Sequence, residues 1–275
     1  MGSEGAAQAP WRPFLAAVCV LAAVGVLGLL ATAYVALRTT QGISLDRAAA
    51  NAVSSPQLVL NRLYDGLSRV SVGSVAISLL VCVTLAVMRR RFDLALGAVV
   101  IIGGADLTTQ ILKNDLFRRV DVGQGSNSLP SGHTTVALSI ALAAVTVAPS
   151  AWRSMVAIGV SATAALVGVA LVLGRWHRPS DVIAATFVCV VWAAVGLLAA
   201  ALVRHRPPVV APKVSVHVGA LIGASMVGGL LVSWGVRPEP GLRDLGLGIL
   251  SLGSIGLACA VSIAAVAYIA DRHLG

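Results

Sequence analysis

The sequence predicts an all-α integral membrane protein, a helical bundle with about eight transmembrane helices. Its 275 residues are 57% hydrophobic and only 11% charged, and the mean hydropathy is +0.91, far outside the range of soluble proteins. Apolar runs close to the ~20 residues that span a bilayer recur along the whole chain. Four tryptophans fall at the ends of these runs, as an interfacial belt requires: Trp11, Trp152, Trp176 and Trp234.

Eight apolar runs predict the spans and the division of the chain. They cover residues 14–37, 72–88, 93–112, 134–150, 154–174, 181–203, 215–235 and 245–270, and the second and fourth are short. No small-residue cleavage pattern ends the first run, so we expect it to be a retained anchor. The expected organisation is a cytoplasmic segment at 1–13, a six-helix core at 14–203 with an outer loop at 38–71, and two further helices within 204–275.

The outer loop contains one predicted helix. Five apolar residues recur there at near-helical spacing, with charged residues between them: Leu58, Leu60, Leu63, Leu67 and Val70. This pattern is typical of an amphipathic helix on the membrane surface, and it equally fits a helix packed on neighbouring loops.

The formal net charge of +9 does not indicate a nucleic-acid partner, because the cations form short clusters between apolar runs. They are better read as topology signals and headgroup contacts. When the five cations of the candidate site described below are set aside, nine cations lie on the predicted inner segments and six on the outer ones. This favours a cytoplasmic N-terminus. The Ala-, Val- and Arg-rich composition is typical of a protein from a GC-rich bacterial genome.

The cysteines predict neither a disulfide framework nor a metal site. Cys19, Cys82, Cys189 and Cys259 all fall inside apolar spans and lack metal-ligand spacing, so we expect free thiols. The protein partners cannot be read from the sequence.

Two histidine segments suggest chemistry. Pro130-Ser131-Gly132-His133 precedes the fourth span, where Ser131 can cap the helix and the free N–H groups form an anion site that Gly132 lets a ligand approach. His177 and Asp181 are four residues apart at the start of the sixth span, so Asp181 can fix the imidazole tautomer. An incidental histidine beside a helix cap, and a surface salt bridge with Arg175 or Arg178, are the plainer alternatives.

A third polar segment, with Lys113, Arg118 and Arg119, ends the third span. Cations at a helix C-terminus have a routine electrostatic explanation. However, if each span crosses once, all three segments emerge on the same face. Two imidazoles, a carboxylate and several cations would then meet there, which suits hydrolysis of a phosphate ester.

These three segments resemble the signature motifs of the type 2 phosphatidic-acid phosphatase superfamily, over roughly residues 72–203. The stretch from Asn127 to Thr134 is the most specific match. The resemblance implies a six-helix phosphatase core that needs no metal or other cofactor. It implies phosphate binding by Lys113, Arg119, Ser131 and Gly132, a general acid at His133, a nucleophile at His177 that forms a phosphohistidine, and an orienting Asp181.

The chain departs from the family pattern in two places. Five residues rather than six separate Lys113 from Arg119, and Val120 replaces a proline. Ala170 and Leu171 stand where the third motif has Ser-Arg, so a phosphate-binding arginine is missing there. Arg175 or Arg118 could compensate.

We therefore expect a plasma-membrane lipid phosphatase with an extracytoplasmic site, acting on a polyprenyl or glycerolipid phosphate or diphosphate. The missing Ser-Arg favours an alternative: a non-catalytic lipid-phosphate binder or transport accessory on the same fold. A transporter is a third possibility, since Asp106 lies inside the third span and intramembrane acids are usually functional. Asp106 could instead support the site from below.

Overall fold

The structure, a computed structural model, describes residues 11–68, 72–117, 129–204 and 215–274. In these ranges the helices are α1 Trp11–Arg38, α2 Thr40–Asn51, α3 Gln57–Ser68, α4 Val72–Met88, α5 Phe92–Ile111, α6 Gly132–Val147, α7 Arg153–Leu173, α8 Pro179–Arg204, α9 Ser215–Ser233 and α10 Leu242–His273. A π-helical turn, Leu112–Leu116, ends α5. Two short strands, β1 Val53–Ser54 and β2 Arg237–Pro238, pair antiparallel.

Each of the eight predicted spans coincides with one helix, which confirms the all-α membrane bundle. Five helices in the described ranges are long and apolar enough to cross a membrane: α1, α5 with its π turn, α7, α8 and α10. The other three, α4, α6 and α9, are shorter apolar helices. The expectation that the second and fourth spans are short is confirmed.

Helix α8 forms the centre of the bundle. It packs against α1, α5, α6 and α10, and small residues allow these close approaches. A Cβ on Gly97 of α5 would lie 3.1 Å from the carbonyl oxygen of Gly196 in α8. Trp192, in the middle of α8, donates from Nε1 to Thr108 Oγ1 of α5 at 2.9 Å, which explains a tryptophan away from the interfacial belt.

The outer loop contains two helices, of which the sequence predicted one. The predicted amphipathic helix is α3, which packs against α7 and sets the Tyr64 ring edge-to-face against Trp176, with ring centroids 5.2 Å apart. Helix α2 was not predicted because its buried residues are Gly42, Asp46 and Ala49, which give no apolar stripe. Its N-cap is Thr39, whose side chain accepts from the N–H of Gly42 at 3.1 Å.

The end of the bundle opposite α2 and α3 is held by arginines. Arg91 and Arg204 both donate to the carbonyl oxygen of Leu274, at 2.7 and 2.5 Å. Arg153 is almost fully buried and forms an ion pair with Asp271 of α10. These bonds join the last helix to the N-cap of α5 and to α7 and α8 at one end, so the described parts of the three candidate segments lie at the other.

Candidate active site

The His177 segment begins in a tight loop between α7 and α8. Gly174 is the C-cap of α7, and the N–H groups of Trp176 and His177 donate back to the carbonyl oxygen of Leu171 at 3.1 and 3.2 Å. Arg175 adopts a φ of 57°, a left-handed conformation that is uncommon for a residue other than glycine. The loop therefore brings His177 directly over the end of α7.

Asp181 holds His177 in place from the first turn of α8. Its side chain is fully buried, and Oδ2 lies 3.2 Å from Nδ1 of His177. The same oxygen accepts from the N–H of Arg178 at 3.0 Å. A carboxylate at Nδ1 favours the tautomer with the proton on that atom, which leaves Nε2 with its lone pair. The imidazole is thereby prepared as a nucleophile or base.

Ser131 caps α6 and joins its own segment to the His177 segment. Its Oγ accepts from the N–H of Thr134 at 3.3 Å, as the sequence predicted for a helix cap. Its own N–H donates to the main-chain carbonyl of Asp181 at 3.0 Å. The turn before α6 and the first turn of α8 are therefore bonded to each other, although 50 residues separate Ser131 and Asp181 along the chain.

His133 and Lys113 lie close to this pair. The half-buried His133 interacts electrostatically with both His177 and Lys113. Lys113 comes from the π turn that ends α5, and such turns are frequent at functional sites. A Cβ added to Gly132 would meet no atom within 4 Å, so there is open space in front of the first residue of α6.

Of the three arginines predicted to bind phosphate, Arg175 lies within the described residues. Arg118 and Arg119, like Val120, lie outside the described residues. Arg175 is exposed, and its guanidinium donates to Oδ1 of Asn51 in α2. A guanidinium has five N–H donors, so one bond to Asn51 leaves its fork able to bind an anion.

The position of the expected third-motif arginine lies in the protein core. Ala170 is 2% exposed and Leu171 is fully buried. The Leu171 side chain therefore packs in the interior, while its carbonyl accepts the loop N–H groups described above. No cation reaches the site from this position.

Asp46 contacts the site segment and was not identified from the sequence. Its oxygens accept from the N–H of Ser180 at 3.0 Å and from Ser180 Oγ at 2.6 Å. Asp46 is buried, at 8% exposure. No local sequence signal could have found it, because 134 residues separate it from Ser180.

Asp106 is half-buried in α5 and near enough to Cys189 of α8 to interact with it electrostatically. It lies seven residues, about two helical turns, before Lys113. Within the described ranges, no three His, Cys, Asp or Glu side chains are grouped so that they could hold a metal ion.

Residues 94–204 match the family model described as PAP2 superfamily. Residues 94–204, fewer than half of the chain, are therefore similar to the PAP2 superfamily. The resemblance inferred from the three segments is confirmed, with a match that starts in α5 rather than at residue 72 and ends with α8. No curated protein and no solved structure matches the chain significantly.

The PAP2 match covers Lys113, His133, His177 and Asp181. Proteins of this superfamily are phosphatases acting on lipid phosphates, which supports phosphoric ester hydrolysis at the family level. Helices α1 to α4 and the last two helices lie outside the matched residues.

Proposed function

We propose that this protein is a membrane phosphatase that hydrolyses a polyprenyl or glycerolipid phosphate or diphosphate. It acts without a metal, through a phosphohistidine, at the extracytoplasmic face of a bacterial plasma membrane. The bond from the Ser131 N–H to the Asp181 carbonyl carries the proposal, because it unites the helix-cap segment with the His177–Asp181 pair inside the PAP2 region.

In the proposed reaction His177 is the nucleophile. Its Nε2 attacks phosphorus while the bond from phosphorus to the lipid oxygen breaks. His133 gives its proton to the departing oxygen, and the lipid alcohol or lipid monophosphate leaves. A water molecule then attacks the phosphohistidine, His133 accepts its proton, and inorganic phosphate is released with His177 regenerated. Asp181 keeps Nδ1 of His177 protonated throughout.

Positioned cations and N–H donors would stabilise the phosphoryl group in flight, whose charge spreads over three oxygens. We assign this role to Lys113, Ser131, Gly132 and Arg175, together with Arg118 and Arg119. The open space at Gly132, next to the first-turn N–H groups of α6, supports it. The left-handed conformation of Arg175 supports it too, because unusual backbone conformations cluster at functional sites.

The buried Leu171 favours one second candidate, a lipid-phosphate binder or transport accessory that does not hydrolyse its ligand. With leucine in the core at this position, one expected phosphate ligand is absent. Such a protein would bind the lipid phosphate and release no phosphate.

Phosphate release from purified protein separates the two candidates. We expect release from polyprenyl phosphates or diphosphates, or from phosphatidic acid, to persist with excess chelator and to vanish in His177→Ala. Loss of activity with chelator, restored by one particular metal, would contradict the metal-free mechanism. Lipid-phosphate binding without phosphate release would instead support the second candidate.

Trapping of the intermediate tests the assignment of the two histidines. A substrate with a good leaving group needs no general acid, so we expect an acid-labile phosphoryl group on both the wild type and His133→Ala. His177→Ala should carry none. Labelling that persists in His177→Ala would show that another residue is the nucleophile.

A further inference from the structure

A carboxylate from outside the PAP2-matched residues bonds directly to the segment that carries the nucleophile. Asp46 lies in α2, in the outer loop, and its two oxygens accept from the N–H and the hydroxyl of Ser180 at 3.0 and 2.6 Å. Asp181, which holds His177, is the next residue after Ser180. Asp46 therefore bonds to the residue that directly precedes Asp181 in the chain.

These bonds cap the helix on which the pair depends. The first N–H groups of a helix have no partner within the helix, and a nearby carboxylate both accepts from them and complements the helix dipole. At the start of α8 two carboxylates act in this way, since Asp46 accepts from Ser180 N–H and Asp181 accepts from Arg178 N–H. Fixing Ser180 therefore fixes the direction in which the first turn presents Asp181.

Helix α2 contacts the same loop at a second point. Asn51, at its last turn, accepts from the guanidinium of Arg175. The helix is itself held at this end, because Val53 in β1 pairs with Pro238 in β2 and Glu239 donates its N–H to the carbonyl of Ala52 at 2.9 Å. The last two helices, α9 and α10, flank β2, so they support α2 against the loop.

We propose that Asp46 is a positioning residue of the His177 site, which fixes the first turn of α8 so that Asp181 orients the imidazole. This inference rests on the proposed phosphatase function. It assigns a role in the site to the outer loop, which the family match does not include.

The variants Asp46→Ala and Asp46→Asn test it, with Asp65→Ala as a matched control on an exposed carboxylate of the neighbouring α3. We expect Asp46→Ala to lower kcat by about ten- to a hundredfold, with KM and the melting temperature little changed, because a small displacement of a catalytic group has an effect of that size. Asparagine caps helices about as well as aspartate, so Asp46→Asn should recover most of the activity. Asp65→Ala should match the wild type.

Ser180→Ala and the double variant identify the partner. If the Asp46–Ser180 bonds carry the effect, the two substitutions together should cost less than the product of their separate effects. Unchanged kcat in Asp46→Ala would overturn the inference, as would a loss explained entirely by KM or by unfolding. If the losses of kcat in Asp46→Ala and Ser180→Ala simply multiply in the double variant, the inference is also contradicted.

Amide hydrogen exchange separates failure of this inference from failure of the phosphatase proposal. Asp46→Ala should accelerate exchange in residues 177–183, and Asp65→Ala should not. If the wild type releases phosphate from none of the lipids, the phosphatase proposal fails, and slow exchange in Asp46→Ala would then overturn the positioning role as well. Fast exchange would uphold the positioning of this turn.

Discussion

At the residue scale, Asp181 connects the parts of the site through both its side chain and its main chain. The carboxylate accepts from Arg178 N–H and lies 3.2 Å from Nδ1 of His177, and the carbonyl accepts from Ser131 N–H. A fully buried carboxylate without such partners would be strongly unfavourable. The sequence identified this residue because the spacing of four from His177 is itself a local, helical contact.

Gly132 offers a sharp test of the phosphate site. A methyl group there would enter open space and not the protein, so Gly132→Ala should leave the melting temperature near that of the wild type. The same methyl would occupy the space proposed for phosphate oxygens. We expect kcat/KM to fall by about tenfold or more, equivalent to about 1.4 kcal/mol of transition-state binding.

Gly103→Ala is the matched control, since Gly103 also faces open space but lies in the middle of α5. Phosphate release and thermal melting should both be unaffected there. Full activity in Gly132→Ala would show that substrate does not approach the start of α6, and the phosphate-binding assignment would have to move.

At the scale of elements, helices can approach each other closely where they cross because glycine lies at the contact. Gly223 of α9 faces α7 so closely that an added Cβ would lie 2.2 Å from the carbonyl oxygen of Ile158. A backbone atom cannot rotate away as a side chain can. The contact between the last two helices and the core thus requires glycine at this position.

We expect Gly223→Leu to force α9 away from α7 and to destabilise the protein by about 1–3 kcal/mol or more. Thermal melting in detergent would measure this. Gly229→Leu on the same helix is the control, because Gly229 has no atom within 4 Å of an added Cβ. Equal melting of the two variants would mean that α9 does not pack on α7 as described.

At the scale of the whole molecule, the two ends of the bundle carry different chemistry. One end collects Arg91, Arg153 and Arg204 around the last residues of the chain. The other end collects the candidate site, α2, α3 and the two strands. When the cations of the candidate site are set aside, the end with Arg91, Arg153 and Arg204 carries more cations than the other end. This excess predicts that the arginine-rich end faces the cytoplasm.

Cysteine accessibility tests this orientation. On a background without the four native cysteines, Ser150→Cys between α6 and α7 should react with an impermeant thiol reagent only from the cytoplasmic side. Arg62→Cys in α3 should react only from the outside, since both positions are exposed. Reaction of both from one side would contradict the alternation of the helices, and exchanged sides would reverse the proposed location of the site.

The elements whose signals are local could be predicted from the sequence alone. Apolar runs predicted the eight apolar helices of the described ranges, because burial in lipid requires an uninterrupted apolar stretch, whatever the helix packs against. The cap at Ser131 and the pair of His177 and Asp181 were likewise predictable, because their partners lie within one helical turn.

Features that depend on partners distant along the chain could be seen only in the folded protein. Helix α2 has no apolar stripe, and its buried Asp46 accepts hydrogen bonds from Ser180, 134 residues away. The burial of Leu171 and the bond from Ser131 to Asp181 also arise from how α6, α7 and α8 meet. A sequence pattern shows which residues share one face of a helix. Which other helix packs against that face is set by the tertiary packing.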